Sequence, residues 1–138
     1  MLYWTVKIIL GSAVVAIAAF VGYVAFLAYI MSPMCENEVV ADVPAPSGAA
    51  RAVVFHRDCG ATTRTSTQVS ILRGRAALPD DGGNVYVADR EDGGAPAVEV
   101  RWTGDQALVV RHDRGDRSFT KERSVSGVRI RYEVHEAS

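Results

Sequence analysis

The sequence has little net charge, only two cysteines and, in residues 8–31, no charged side chain at all. Its 138 residues carry a formal net charge of −1. Proteins that bind nucleic acids or anionic membrane surfaces display an excess of basic residues, which this balance does not provide. We therefore expect no nucleic-acid partner. Lipid contact, if any, must come from the uncharged run.

Short motifs of common enzyme chemistry are also missing from the sequence. It contains no Gly-x-Ser-x-Gly elbow, phosphate-binding loop or dinucleotide fingerprint. Three histidines are present, His56, His112 and His135, and none has the spacing of a metal ligand set. Tetrahedral zinc requires three or four ligands. We expect no cofactor and no metal, and a binding role in preference to a catalytic one.

Residues 8–31 form an uninterrupted run of uncharged, mostly apolar residues. A helix rises about 1.5 Å per residue, so about 20 apolar residues cross a hydrocarbon core of ~30 Å. The apolar part of a secretory signal peptide is usually shorter, about 7–15 residues. The run predicts a single transmembrane helix over residues 8–31.

The charges that flank this run differ on its two sides. Lys7 precedes it, whereas Glu36, Glu38 and Asp42 follow it, and no basic residue occurs again before Arg51. Basic residues near a membrane span favour the cytoplasmic side. We expect residues 1–7 to be cytoplasmic and residues 32–138 to lie in the periplasm, anchored by the span in a bacterial inner membrane.

Small residues recur along one side of the predicted helix. Gly11, Ala18, Gly22 and Ala25 are separated by seven, four and three residues, which brings them near one face. Small residues allow another helix to approach closely in a membrane. They predict contact with a membrane-protein partner, or self-association through the transmembrane helix, in addition to contact with lipid. An anchor that is merely rich in alanine explains the same pattern.

Cys35 and Cys59 are the only cysteines. An even number of cysteines in an oxidising compartment predicts a disulfide between them. Two alternatives concern processing. Cys35 follows an apolar run, as a lipidated cysteine does, although Met34 stands where a small residue is usual. Cleavage of the run as a signal peptide is the second alternative, and either event would produce a secreted protein such as an inhibitor.

The remaining residues predict a short spacer and one small β domain. Two prolines between Val43 and Ala50 favour an extended conformation, so residues 32–50 are expected to form an extracytoplasmic Pro-rich tether. From residue 51 to residue 138, short β-prone runs alternate with Gly, Asp and Pro, which predicts an all-β domain built as an antiparallel sandwich or barrel-like sheet. The expected strands cover residues 52–57, 65–72, 84–88, 97–103, 106–112, 117–121 and 128–134.

A dense polar stretch, residues 56–64, lies between the first two of these strands. One interpretation makes Cys59 the nucleophile of a periplasmic thiol-dependent enzyme or redox protein, with His56 as its base. The other makes the stretch a turn, in which Asp58 and the threonines hydrogen-bond to exposed backbone groups. The predicted disulfide favours the turn, because it occupies the Cys59 sulfur.

Arginines alternate with apolar residues in the last predicted strand. Arg129 and Arg131 fall on the face opposite Val128 and Ile130, and Arg101 has the same position in another strand. A charged face of a sheet is usually only solvated. Arginine is also enriched in protein interfaces, so these three residues are our candidates for partner binding.

The run Phe55-His56-Arg57-Asp58-Cys59-Gly60-Ala61-Thr62-Thr63, followed by Thr67-Gln68-Val69-Ser70, resembles a motif of small uncharacterised bacterial proteins. Those proteins carry similar strands to Asn84–Asp89 and Val128–Tyr132. The resemblance covers most of the region after the uncharged run and implies a shared domain, but it brings no activity with it. The sequence as a whole predicts a non-catalytic, single-pass binding or accessory subunit of a larger membrane or envelope assembly.

Overall fold

A computed structural model describes residues 1–31, 34–60 and 62–136 of the chain. These residues fall into two compact units, Met1–Pro33 and Met34–Ser138. Residues 32 and 33 of the predicted tether, Ala61 of the motif and the last two residues lie outside the described ranges.

The first unit is a single helix, α1, over Leu2–Ile30. It begins six residues before the predicted span, because neither proline nor glycine interrupts residues 2–7, and Lys7 places its Nζ 4.3 Å from the ring centre of Tyr3. Its length and its mean hydropathy of 2.4 suffice to cross a membrane. None of its described side chains is buried, unlike those of a core helix in a soluble protein. A signal sequence can have the same length and composition.

The second unit is all-β, as predicted. Seven of the observed strands lie within two residues of the predicted bounds at either end. The described strands are β1 (Glu36–Pro44), β2 (Ala50–Asp58), β3 (Ser66–Arg73), β4 (Tyr86–Asp89), β5 (Val98–Gly104), β6 (Ala107–Asp113), β7 (Arg117–Lys121), β8 (Ser124–Val125) and β9 (Val128–His135).

The strands form two sheets and no closed barrel. Sheet 1 has the order β1-β2-β3-β4-β7, and sheet 2 has the order β5-β6-β9-β8. Neighbouring strands are antiparallel, with one exception: β6 and β9 are parallel. A parallel pair needs a crossover connection, and here the chain leaves sheet 2 after β6, contributes β7 to sheet 1, and returns. The described strands otherwise pair antiparallel, as predicted, and this pair is a local departure from that pattern.

The two sheets share one apolar core. Small and β-branched side chains dominate it, and the buried members alternate along each strand with residues that face outward. The buried members are Ala52, Val54, Val69, Ile71, Val85, Tyr86, Ala88, Leu108, Val110, Val128 and Ile130.

The predicted Pro-rich tether over residues 32–50 is wrong from Glu36 onward. Residues 36–44 form β1, which pairs with β2 from Glu36 opposite Asp58 to Pro44 opposite Arg51. Pro44 is tolerated because β1 is an edge strand, where a missing N–H need not break the ladder. The rest of the Pro-rich segment is the hairpin turn, in which Gly48 has a φ of 75°. The β domain therefore begins at Glu36, not at residue 51.

The outer side of sheet 1 is covered by the loop between β3 and β4. Gln68 and Ser70, which alternate along β3 with the inward-facing Val69 and Ile71, are both buried. Gln68 Oε1 accepts a hydrogen bond of 2.6 Å from the Gly83 N–H, and Ser70 Oγ accepts one from Asn84. A second small apolar cluster forms beneath this cover, from Val53, Phe55, Leu72 and Leu78.

Substitution of Gly83 tests whether the loop between β3 and β4 packs closely against sheet 1. A Cβ at Gly83 would lie 2.8 Å from the Val69 carbonyl oxygen and 3.0 Å from that of Tyr86, and neither backbone atom can move aside cheaply. We expect Gly83→Ala to lower the free energy of unfolding by about 1–3 kcal/mol, as overpacking does. Gly82→Ala is the matched control, because its Cβ would meet only the Gln68 side chain, at 3.6 Å. Equal urea midpoints for the two variants would contradict the packing described here.

Candidate functional site

The disulfide between Cys35 and Cys59 is present, as predicted. It joins the residue before β1 to the residue after β2, beside the last pair of the ladder, Glu36 opposite Asp58. It therefore closes the open end of the β1–β2 hairpin. The Cys35 sulfur is occupied by this bond, which leaves no thiol there for attachment of a lipid.

The polar corner around Cys59 has the contacts of a turn. The Asp58 carboxylate accepts a hydrogen bond of 3.0 Å from the Gly60 N–H, and Thr63 Oγ1 donates one of 3.1 Å to the Gly60 carbonyl. Gly60 has a φ of 107°, which favours glycine. Cys59 is not a free thiol, and the His56 imidazole has no hydrogen bond or ion pair within the described residues. The arrangement supports the turn and offers no activated nucleophile.

Across residues 1–31, 34–60 and 62–136, no group of three or more His, Cys, Asp and Glu side chains could hold a metal ion.

A partly buried polar cluster, which the sequence did not reveal, lies between the two sheets. Tyr86 and His112 are buried, Tyr132 is half-buried and Lys121 is exposed. Tyr86 of β4 stacks on His112 of β6, with ring centres 5.3 Å apart, and Tyr132 of β9 lies 5.9 Å from Tyr86. Lys121 Nζ is 3.2 Å from His112 Nε2. An ammonium only donates, so Nε2 accepts and the Nδ1–H donates to the Asp113 carbonyl at 2.9 Å. These residues are far apart in sequence, and only the strand order brings them together.

Burial favours the neutral forms of the two phenols of this cluster. Burial raises the pKa of Tyr86, and nearby Asp116 raises it further. Burial also raises the pKa of Asp116 and raises that of Tyr132 to about 12. The Tyr132 hydroxyl lies 2.5 Å from the Glu122 carbonyl and 3.2 Å from the Val85 carbonyl, so it ties β9 of sheet 2 to the sheet 1 side of the core. These contacts make the cluster a link between the sheets.

The arginines predicted to bind a partner lie together on the outer face of sheet 2. Arg101 of β5 is in register with Val109 of β6, and Val109 is in register with Arg131 of β9. Arg129, two residues before Arg131, lies on the same face. All three arginines are exposed, whereas Val109 beneath them is buried. The structure therefore brings Arg101, Arg129 and Arg131 onto one surface, which we call the Arg face.

The charges of this face do not cancel. Arg111 lies 3.9 Å from Glu99 and 3.5 Å from Glu133. Arg131 is 3.8 Å from Glu133. Arg101 and Arg129 have no ion pair with any residue that the structure describes. The outer face thus carries four arginines against two glutamates and Asp113, and Asp113 is already paired with Arg90, at 3.4 Å. A recess of about 290 Å³ opens between Thr103 and the pair Arg129 and Arg131.

The small residues of α1 remain exposed along the helix. Gly11, Ala18, Gly22 and Ala25 fall within an arc of about 60° at 3.6 residues per turn. A Cβ at Gly11 or at Gly22 would meet no atom within 4 Å, so this side of the helix is open for close approach.

Tyr132 provides a test of the partly buried cluster. The pKa of its phenol is about 12 in the folded chain and near 10 when unfolded, so the folded state keeps a proton that the unfolded state loses. This contribution is present below pH 10 and is lost as the pH rises from 10 to 12. We expect Tyr132→Phe to lower the free energy of unfolding at pH 7 by about 1–2 kcal/mol, because the Glu122 carbonyl loses the hydroxyl that donates to it.

The same variant should lose stability less steeply between pH 10 and pH 12 than the unmodified chain. Urea unfolding of the full chain in detergent, at intervals across this range, measures both effects. Tyr29→Phe in the exposed helix is the control and should change neither. Parallel pH profiles for Tyr132→Phe and the unmodified chain would contradict a half-buried, neutral phenol.

The chain was compared with protein-family models, with curated proteins and with solved structures, and none of the three comparisons finds a match. What the protein does is therefore argued from the geometry above.

Proposed function

We propose that this protein is a non-catalytic, single-pass membrane subunit that binds an acidic surface of a larger membrane or envelope assembly through its Arg face. The observation that carries the proposal is the register of Arg101, Val109 and Arg131 across three strands, with Arg129 beside them. Sequence spacing alone does not place arginines of β5 and β9 together. Their excess of positive charge favours a partner that presents carboxylates.

The location proposed for the domain is the periplasm, with α1 held in the inner membrane. The exposed apolar helix supports anchoring, and Lys7 on one side of the apolar run, against Glu36 and Glu38 on the other, supports a cytoplasmic amino end. The Cys35–Cys59 disulfide supports an oxidising compartment. The small residues of α1 are a second contact proposed with the same assembly, or with a second copy of the helix.

A thiol-dependent enzyme is the weaker alternative. It needs a free Cys59 and a base within hydrogen-bond reach, and Cys59 is joined to Cys35. A secreted inhibitor produced by cleavage or lipidation would no longer be anchored in the membrane by α1. Neither alternative accounts for the arginines in register on sheet 2.

Photo-cross-linking in native membranes tests the Arg face. A benzoylphenylalanine at Thr103, which borders the recess beside Arg129 and Arg131, should form an adduct with a membrane or envelope protein. Mass spectrometry should place the adduct within or beside an acidic segment. The same photoreactive residue at Ser118, exposed on β7, is the positional control.

Charge reversal then tests the role of the arginines themselves. Each interface arginine contributes on the order of 1–2 kcal/mol, so Arg129→Glu with Arg131→Glu should reduce the Thr103 adduct roughly tenfold or more. The matched control is Arg64→Glu with Arg75→Glu, two exposed arginines without an ion pair in the described chain. An adduct that survives reversal at Arg129 and Arg131, or that falls equally in the control, would contradict the proposal.

A further inference from the structure

The free side of β5, which we call the β5 edge, is open along the stretch from Val98 to Arg101. β5 is the terminal strand of sheet 2 and pairs only with β6. A cleft of about 650 Å³ runs along it, lined by Val98 and Val100 from its inner face and by Glu99 and Arg101 from its outer face. The backbone groups of an open edge are a template for another strand.

The cleft also reaches β1, the edge strand of sheet 1. Its lining includes Val40 and Val43 of β1. A bulge between Val39 and Ala41 leaves both Val39 and Val40 more than half exposed. At the other end the cleft is closed, because Trp102 Nε1 donates a hydrogen bond of 2.8 Å to the Val43 carbonyl. Val40 and Val43 of β1 and the β5 edge thus border one cleft that no described residue fills.

The residues of β5 are self-complementary about Val100. When two copies of this strand are placed antiparallel with Val100 opposite Val100, Glu99 of each copy lies opposite Arg101 of the other. On the inner face, Val98 of each copy lies opposite Trp102 of the other. Opposite charges in directly opposed cross-strand positions stabilise a sheet, and apolar pairs do the same on the inner face.

The same charges select a single register. Moving the centre of the pair to Glu99 would oppose two glutamates, and moving it to Arg101 would oppose two arginines, both of which are unfavourable. A shift of the pairing by one residue would place the inner side chains of one β5 strand opposite the outer side chains of the other. Arg101 lacks an ion pair within its own described chain, and Glu99 is held only by the 3.9 Å contact with Arg111, so both charges are available.

We propose that a second copy of this chain binds at the β5 edge, with the two β5 strands antiparallel about Val100 and two Glu99–Arg101 ion pairs between the copies. The two copies of sheet 2 then form one continuous eight-stranded sheet about a two-fold axis, in a closed, isologous contact. Pairing covers the β5 edge of each copy and leaves Arg129 and Arg131 of each copy on the outer face. Of the Arg face, this contact uses only Arg101, and Arg129 and Arg131 stay available to an acidic partner, so the inference does not rest on the function proposed above.

Cysteine cross-linking of the full chain in detergent or nanodiscs tests the register. Val100→Cys places two Cβ atoms about 4.5–5.5 Å apart across the axis. Thr103→Cys is the matched control on the same strand, because its two copies would be six residues out of register, roughly 20 Å apart. Mild oxidation should cross-link Val100→Cys at least tenfold more than Thr103→Cys. The native cysteines do not compete, since both are in the disulfide.

Charge reversal in the Val100→Cys background separates β5 pairing from association through α1. Glu99→Arg alone, or Arg101→Glu alone, should reduce cross-linking roughly tenfold or more, because two ion pairs become repulsive. The double variant Glu99→Arg/Arg101→Glu should restore it. A mixture of the two single variants should form mixed dimers only. Glu91→Arg and Arg123→Glu, both exposed elsewhere, are controls that should have no effect.

Three results would overturn the inference: Val100→Cys cross-links no more than Thr103→Cys, single reversals have no effect, or the double variant fails to recover. If Val100→Cys does not fold by circular dichroism, a mixture of Glu99→Cys and Arg101→Cys copies carries the same test at two exposed positions. Arg129→Glu with Arg131→Glu should leave the cross-link intact, which distinguishes failure of this inference from failure of the proposed Arg-face function.

Discussion

The disulfide between Cys35 and Cys59 is the constraint that joins the fold, the location and the proposed function. It fixes the open end of the β1–β2 hairpin and so keeps β1 at the edge of sheet 1. Closing a loop with a sequence separation of 24 residues stabilises a chain by about 3 kcal/mol on the loop-entropy model. This is a large fraction of the 5–15 kcal/mol typical of a whole domain. The bond also makes an oxidising compartment the natural location of the domain.

A second consequence of the hairpin concerns the cleft. With β1 in place, Val40 and Val43 form one wall and β5 forms the other. Had residues 36–44 been a flexible tether, the inner face of β2 at Val54 would lack its edge neighbour, Ala41. The cleft beside the β5 edge, where we propose that a second copy binds, therefore depends on the β1–β2 hairpin that the disulfide closes.

Much of the fold could be predicted because hydrophobic periodicity is local. Seven strands were placed from alternation and turn residues, and the pairing of the two cysteines followed from their number. β1 was missed because Pro44, at its end, and Pro46, just after it, favour a spacer, and only pairing with β2 makes it a strand. The parallel β6–β9 pair, the loop over Gln68 and the Tyr86–His112 stack were not predictable, since each depends on which strands become neighbours. Arg101, Arg129 and Arg131 were identified from alternation, but only the register of β5, β6 and β9 shows that they share a surface.

The central claim of this account is an intact, anchored chain whose β domain lies in an oxidising compartment. Intact mass spectrometry of the protein extracted from its native membrane, with alkylation before and after reduction, tests it most directly. We expect an uncleaved, lipid-free chain that is two hydrogens lighter than the reduced form and is alkylated at Cys35 and Cys59 only after reduction. A chain cleaved after the apolar run, a lipid adduct on Cys35, or two thiols alkylated without reduction would contradict it.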